Sequence, residues 1–287
     1  MTYDPEKKEE KSLFGVIVHS FFVVPFLIAV FSVLLFAAVR ILTMEKQTVY
    51  DFLNEVKNGG LTKRWQAAFE LSKILANPEL IPKDPKFDRE LIKAFDQSQH
   101  DDNRVRQYLA LAMGRSGHEQ CVDPLLEALK NEKEENLYSV IYALGLLKSK
   151  KAVHIIATYL DHPDSRIRLV SVIALGNIGD RTCINLLKKT LNDSEPNVQW
   201  DSAISLAKMK DFAGKEILLK LLDRSYLSQF KAVDIEEQTH VILVTIEAVG
   251  YLNDPQLNDV IKRLAETDQN MNVRKLAMEI VNKKFKK

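Results

Sequence analysis

The sequence has almost no net charge: 40 Lys and Arg stand against 39 Asp and Glu, leaving +1. No strong field is present to draw nucleic acid or an acidic membrane surface. Glycine is sparse, with Gly59-Gly60 a lone pair between two helical stretches, so a glycine-rich phosphate loop is excluded. No run of four or more residues alternates apolar with polar convincingly, which argues against strands. Histidine is also scarce. Of His19, His100, His118, His154, His162 and His240, only His118 is followed by Glu, and one such pair cannot hold a two-metal centre.

What the chain does have is a phrase that recurs. Residues 103–115 read Asn-Arg-Val-Arg-Gln-Tyr-Leu-Ala-Leu-Ala-Met-Gly-Arg, and related stretches begin at Leu137, Ser165 and Pro196. The small residues closing these copies are Gly114, Gly145, Gly176 and Ala207, three successive steps of 31 residues. A period of that size marks a solenoid. Outer copies lie 42 residues before Gly114 and 43 residues after Ala207, and a partial copy starts at Asn272. Each long step implies an insertion, placed near 77–86, with its three prolines, and near 225–238. Each unit reads as two helices, with N-caps expected at Asp164, Ser194 and Asp254 and Pro255 in the first helical position. The expected fold is all-α, an α-solenoid of about six helix pairs over residues 48–287.

The phrase resembles the HEAT repeat in its short bacterial, phycobilin-lyase-like version: Val-Arg, two variable residues, Ala-Ala, one variable residue, Ala-Leu-Gly. The resemblance covers about four-fifths of the chain and implies a right-handed stack of helix pairs. Deoxyhypusine hydroxylases, another helical-repeat family, bind iron through several His-Glu pairs that this chain lacks. Phycobilin lyases share the repeat, but the pattern carries no catalytic residue to transfer. Cys121 and Cys183 occupy equivalent sites two repeats apart. Helix layers spaced about 8–10 Å put their sulfurs near 20 Å apart, too far for a disulfide, and both fall on apolar helices. No catalytic residue, cofactor or metal is expected.

Ahead of the repeats, residues 13–39 contain no Asp, Glu, Lys or Arg. A bilayer core needs about 20 apolar residues, whereas the apolar core of a signal peptide is about 7–15. A single membrane-crossing helix over 13–42 is therefore expected, after a polar tail over 1–12. Lys7, Lys8 and Lys11 precede it; Arg40 and Lys46 follow. Three against two favours tail inside and solenoid outside, while two free thiols suit a reducing cytoplasm equally, and the side stays open. The first repeat, directly after this segment, resembles that of bacterial membrane HEAT proteins. That likeness implies an inner-membrane location and an accessory role in a transport or envelope complex.

The arginines Arg64, Arg106, Arg168 and Arg274 hold the second motif position. A structural role is expected, with carbonyls of the preceding turn or Asp102 and Asp164 as acceptors. Counting from that position as zero, the fixed small residues at plus four, seven and eight are expected to face the helix partner. Plus one and plus five lie one turn apart on another face. They read Trp65 and Phe69, Gln107 and Leu111, Tyr138 and Tyr142, Leu169 and Ile173, Trp200 and Ile204, Leu243 and Glu247. Ten of the twelve are apolar, so the stripe either packs between repeats or receives a partner. The expected function is a membrane-anchored, non-catalytic adaptor binding a protein through this face. A lyase-type or chromophore-binding protein and a lipid-handling module are the alternatives. If the stripe is a surface, polar replacement of Trp65, Tyr142 and Trp200 should leave the fold intact.

Overall fold

In a computed structural model, residues 19–42 and 47–285 are described, and the chain divides into two compact units, Met1–Thr48 and Val49–Lys287. The first unit holds a π-helical turn, His19–Val23, running into α1, Val24–Leu42. Pro25 is the second residue of α1, directly after the π-helical turn. Phe21–Val39 has a mean hydropathy of 2.8 and every residue is exposed, a helix long and apolar enough to cross a membrane. By length and composition a signal sequence near the N-terminus meets the same description. The expected tail over 1–12 and the first residues of the apolar run lie outside the described residues.

The second unit contains helices and no strands among its described residues and consists of seven successive pairs. They are α2 (Val49–Asn58) with α3 (Leu61–Ile74), α4 (Pro85–Gln97) with α5 (Asn103–Ser116), and α6 (Val122–Leu129) with α7 (Glu134–Leu146). Then come α8 (Val153–Ala157, prolonged by a 3-10 turn Thr158–Asp161) with α9 (Ser165–Ile178) and α10 (Ile184–Thr190) with α11 (Pro196–Lys208). In the sixth pair α12 (Lys215–Leu221) and the short α13 (Arg224–Leu227) precede α14 (Ile235–Val249); α15 (Pro255–Thr267) and α16 (Met271–Phe285) close the array. The partial copy at Asn272 thus belongs to a complete seventh pair.

Side-chain caps set where these helices begin. Asp84, Asp102, Asp164, Asp234 and Asp254 each accept a backbone N–H from the first turn, and Pro85 and Pro255 follow two of them directly. Ser194 does not cap α11. Glu195 occupies that position without a side-chain bond, and Asp193 accepts from Glu195 N instead. Pro196 lacks the N–H that a serine cap would otherwise help to satisfy in that first turn.

The motif helices α3, α5, α7, α9 and α11 pack side by side in chain order, and the small residues explain how closely. A Cβ built on Gly114 would lie 2.7 Å from Ala143 Cα, and one on Gly145 2.6 Å from Ala174 Cα. On Gly176 it would lie 2.7 Å from Ser205 Cβ. The plus-eight glycine therefore faces the plus-six small residue of the next motif helix, not its own helix partner. Adjacent repeats are locked by backbone-to-backbone proximity at one position per turn of the stack.

A second device recurs at the same 31-residue step. Each motif helix from α5 to α11 is followed by a residue in the left-handed region: Gly117 (φ 68°), Lys148 (52°), Gly179 (69°) and Lys210 (64°). Glycine reaches this conformation freely, whereas a side chain there costs about 1–2 kcal/mol. Lys148→Gly and Lys210→Gly are each expected to stabilise the protein by about 0.5–1 kcal/mol, because glycine's greater freedom when unfolded offsets part of the relief. The two sites are distant enough to add. Urea unfolding checks this, and a loss of stability in either variant would refute it.

The interior forms two apolar clusters. One runs from Val49 to Met209 and includes Val198 and Leu206. The other runs from Trp200 to Ala277 and includes Ala203, Ile204 and Ala207. Helix α11 contributes to both.

Candidate functional site

The plus-one and plus-five side chains of successive motif helices form the candidate face. Eight of the ten apolar members keep partial exposure: Trp65, Phe69, Leu111, Tyr142, Leu169, Ile173 and Leu243 are half-buried, and Tyr138 is exposed. At the first repeats part of the stripe is spent on neighbours. Arg104, itself paired with Asp102, lies 4.6 Å from the Trp65 ring centroid, and Phe69 meets Tyr108 edge-on at 5.1 Å. Tyr138 and Tyr142 stack along α7 at 6.3 Å.

Trp200 and Ile204 depart from the rest. Each is only 6% exposed. The insertion over 225–238 folds onto them: Phe230 packs edge-on at 4.9 Å from Trp200, and Tyr226 accepts the indole N–H at 3.3 Å. Polar replacement of Trp200 would therefore disturb packing as well as any surface. Arg224, in α13 just before the insertion, is clamped to Asp268 of the seventh pair through two hydrogen bonds of 2.9 Å.

Between this insertion and α9, α11 and α14 lies a groove of ≈ 620 Å³, lined by Leu169, Ile173, Trp200, Ile204, Phe230 and Val244 among others. Asp201, Asp234, Glu237 and His240 add polar groups to its wall. The Asp201 carboxylate makes no hydrogen bond or ion pair with any described residue. Burial raises its pKa from 3.8 to about 6, with the charges of Lys208 and His240 pulling weakly the other way. A carboxyl whose folded pKa is raised binds protons more tightly in the folded state. Its ionisation costs nothing below pH 4, an increasing amount between pH 4 and 6, and the full amount at neutral pH. The sequence reading missed Asp201, Phe230 and Val244. A signal existed in Asp201, the one charged residue at plus two among the first six motif copies.

The arginines are structural. Arg106 donates to Phe95 O at 2.9 Å and to Glu132 at 2.7 Å, and Arg168 donates to His162 O at 2.9 Å and to Asp193 at 2.8 Å. Arg64 bonds Val56 O and pairs with Asp101, and Arg274 bonds Asp268 O. The carbonyl acceptors lie in the turn just before the motif helix for Arg168 and Arg274, as expected, but in the last turn of the preceding helix for Arg64 and Arg106. The carboxylates are not the expected ones: Asp102 and Asp164 cap their own helices and pair with Arg104 and Arg166, while Asp101, Glu132 and Asp193 serve the motif arginines. Each of these three lies before the next motif helix, so the arginine ties one repeat to its successor.

The nearest approach to a catalytic arrangement is Asp88, His118, Ser116 and Cys121. The His118 Nδ1 pairs with Asp88, its ring meets Phe87 edge-on, and Ser116 Oγ lies 3.7 Å from Cys121 Sγ. Burial pushes the thiols of Cys121 and Cys183 up to about 11, so both stay protonated and unreactive at neutral pH. Among the described residues no group of three or more His, Cys, Asp or Glu is placed to hold a metal ion.

Comparison with known proteins agrees with this geometry. No curated protein matches the sequence. Among solved structures, the complex of CpcE and CpcF of phycocyanin lyase from Nostoc sp. PCC7120 matches with a TM-score of 0.57 and 20% identity, covering 83% of this chain and 96% of that one. A designed armadillo repeat protein in complex with the peptide (KR)4 matches with a TM-score of 0.45 and 16% identity, over 82% of this chain and 100% of that one. Human deoxyhypusine hydroxylase in complex with glycerol matches at 0.34 and 15%, over 82% and 96%. The first likeness shows a shared fold; the other two are too distant to carry an argument. The family model for HEAT repeats matches residues 89–169 and 154–233, together half of the chain, with the 31-residue ruler and the glycine seam inside that span. The chain belongs to the HEAT-repeat family.

Proposed function

We propose that this protein is a membrane-anchored, non-catalytic adaptor that holds a partner protein on the exposed stripe of its motif helices. The observation that carries the reading is the stripe itself: eight large apolar side chains left partly open along one face. A soluble surface seldom tolerates a continuous row of this kind without a use for it. The unreactive thiols support a binding role over a catalytic one. The apolar helix near the N-terminus would tether the solenoid to a bilayer and raise its effective concentration near a membrane partner. An accessory role in a transport or envelope complex is the setting suggested by the resemblance of the first repeat to bacterial membrane proteins.

Tyr138, Tyr142 and Ile173 offer the cleanest test, since each keeps partial exposure and, unlike Trp200 and Ile204, is not buried, although Ile173 also lines the groove beside the second insertion. With a photoreactive residue at Leu111, crosslinking in native membranes should capture a defined protein. Combined replacement of the three side chains by serine should reduce that capture about tenfold, the equivalent of about 1.4 kcal/mol, with little change in the helical melt. Undiminished capture would refute the reading, and collapse of the fold would make the stripe part of the core.

A further inference from the structure

We infer that the groove beside Trp200 is a docking slot for a partner segment that places a large apolar side chain next to a lysine or arginine. The inference rests on the adaptor reading and gives it a location and a chemistry. The floor is apolar, from Ile173, Trp200, Ile204 and Phe230. Its ≈ 620 Å³ falls within the range of about 300–1,000 Å³ typical of sites that enclose a compact ligand. Its charged groups are unbalanced: Asp201, Asp234 and Glu237 face it from α11, the insertion and α14, with His240 as the one basic group in the lining. Lys208, from α11, acts on Asp201 only through space, without an ion pair.

Asp201 is the distinguishing group. It is part-buried in the groove lining beside Trp200 and Ile204, its carboxylate has no hydrogen bond or ion pair from the described residues, and its partial burial makes the charge costly. An incoming ammonium or guanidinium would supply the missing partner and convert that cost into affinity. An anionic segment would meet three carboxylates. An uncharged one would leave Asp201 unpaired under a dry cover. The wall is held for this purpose: Arg224 anchors its start through Asp268 and Thr239, and Asp234 caps the helix that follows. Phe230 thus reaches the floor from a braced segment.

The test uses the full chain in phosphatidylcholine nanodiscs, a neutral bilayer that does not itself attract cations. Fluorescent hexapeptides Leu-Lys-Phe-Lys-Leu-Lys, Leu-Gln-Phe-Gln-Leu-Gln and Leu-Glu-Phe-Glu-Leu-Glu are titrated at pH 7.5 and followed by anisotropy. The lysine peptide should bind at least about tenfold more tightly than the glutamate peptide, as a charge-assisted contact in a half-dry site would give. Asp201→Asn, which removes a costly charge and should fold at least as well, is expected to abolish most of that preference. Phe230→Ala should weaken the lysine and glutamine peptides alike. Equal binding of all three peptides, an unchanged preference in Asp201→Asn, or equal binding to empty nanodiscs would each overturn the slot. If that happens while a photoreactive residue at Leu111 still captures its protein, the slot is wrong and the adaptor reading stands.

Discussion

Gly145→Val is expected to destabilise the solenoid by about 3 kcal/mol, at the upper end of overpacking costs, with a melting temperature lower by about 6–12 °C for a unit of this size. The reason is the seam between α7 and α9. A Cβ at Gly145 would lie 2.6 Å from Ala174 Cα and 2.8 Å from Ala174 Cβ, so the obstruction is backbone and cannot rotate away. Valine adds two methyl groups to that clash. The two helices must separate, and the contacts of Leu144 and Leu175, both fully buried, loosen with them. Gly145→Ala should cost less, since alanine's better helix propensity returns about 1 kcal/mol. Far-UV circular dichroism of the full chain checks both variants. Because repeats interact mainly with their neighbours, the valine variant should also broaden the transition as the array loses coupling at its centre. A valine variant that melts with the wild type would disprove the close approach of the motif helices.

Arg106→Ala should cost about 3–5 kcal/mol, the usual price of leaving a buried charge without its partner. The Arg106 side chain is 7% exposed and that of Glu132 3%. The guanidinium spans Phe95 O, Glu132 and the Phe95 ring, whose centroid is 4.1 Å away. Removing it leaves the Glu132 carboxylate buried without its cation, held only by Asn136 and the Lys133 N–H, while Phe95 O keeps the Ser98 hydroxyl. Lysine at this position cannot reproduce the fork and should recover only part of the loss. The double variant Arg106→Met with Glu132→Leu should be more stable than Arg106→Ala, because no charge is then left buried alone. Urea unfolding of the three variants decides the matter. A double variant no better than the single one would show that the pair acts through something other than its buried charges.

The 31-residue ruler made the array legible because Gly114, Gly145 and Gly176 recur in register and glycine is otherwise rare. Their contacts were harder to assign. Plus eight and the helix partner's face are close in angular terms, and only the backbone distances show that Ala143, Ala174 and Ser205 of the next repeat stand opposite. The left-handed turn was visible at Gly117 and Gly179 but hidden at Lys148 and Lys210, where the stack imposes a conformation the residue disfavours. The arginine's carboxylate was misplaced for a related reason. Asp102 and Asp164 are nearest in sequence, yet their N-cap geometry turns them to their own helices, and the acceptors come from one repeat later. The stripe was readable as a pattern of residue types, but its exposure was not. A break in the period over 225–238 announces an insertion without saying that Tyr226 and Phe230 fold back onto Trp200.

Helix α11 belongs to two interiors: Val198 and Leu206 lie in one cluster, Ala203 and Ile204 in the other. Among the described residues that helix is the only one with buried side chains in both clusters, so the two halves of the array are expected to unfold as blocks that meet there. The groove rests on the same helix through Trp200, Asp201 and Ile204. Whatever settles there touches the joint itself, so occupancy would bind the two blocks into one unfolding unit, in proportion to how far its concentration exceeds its dissociation constant.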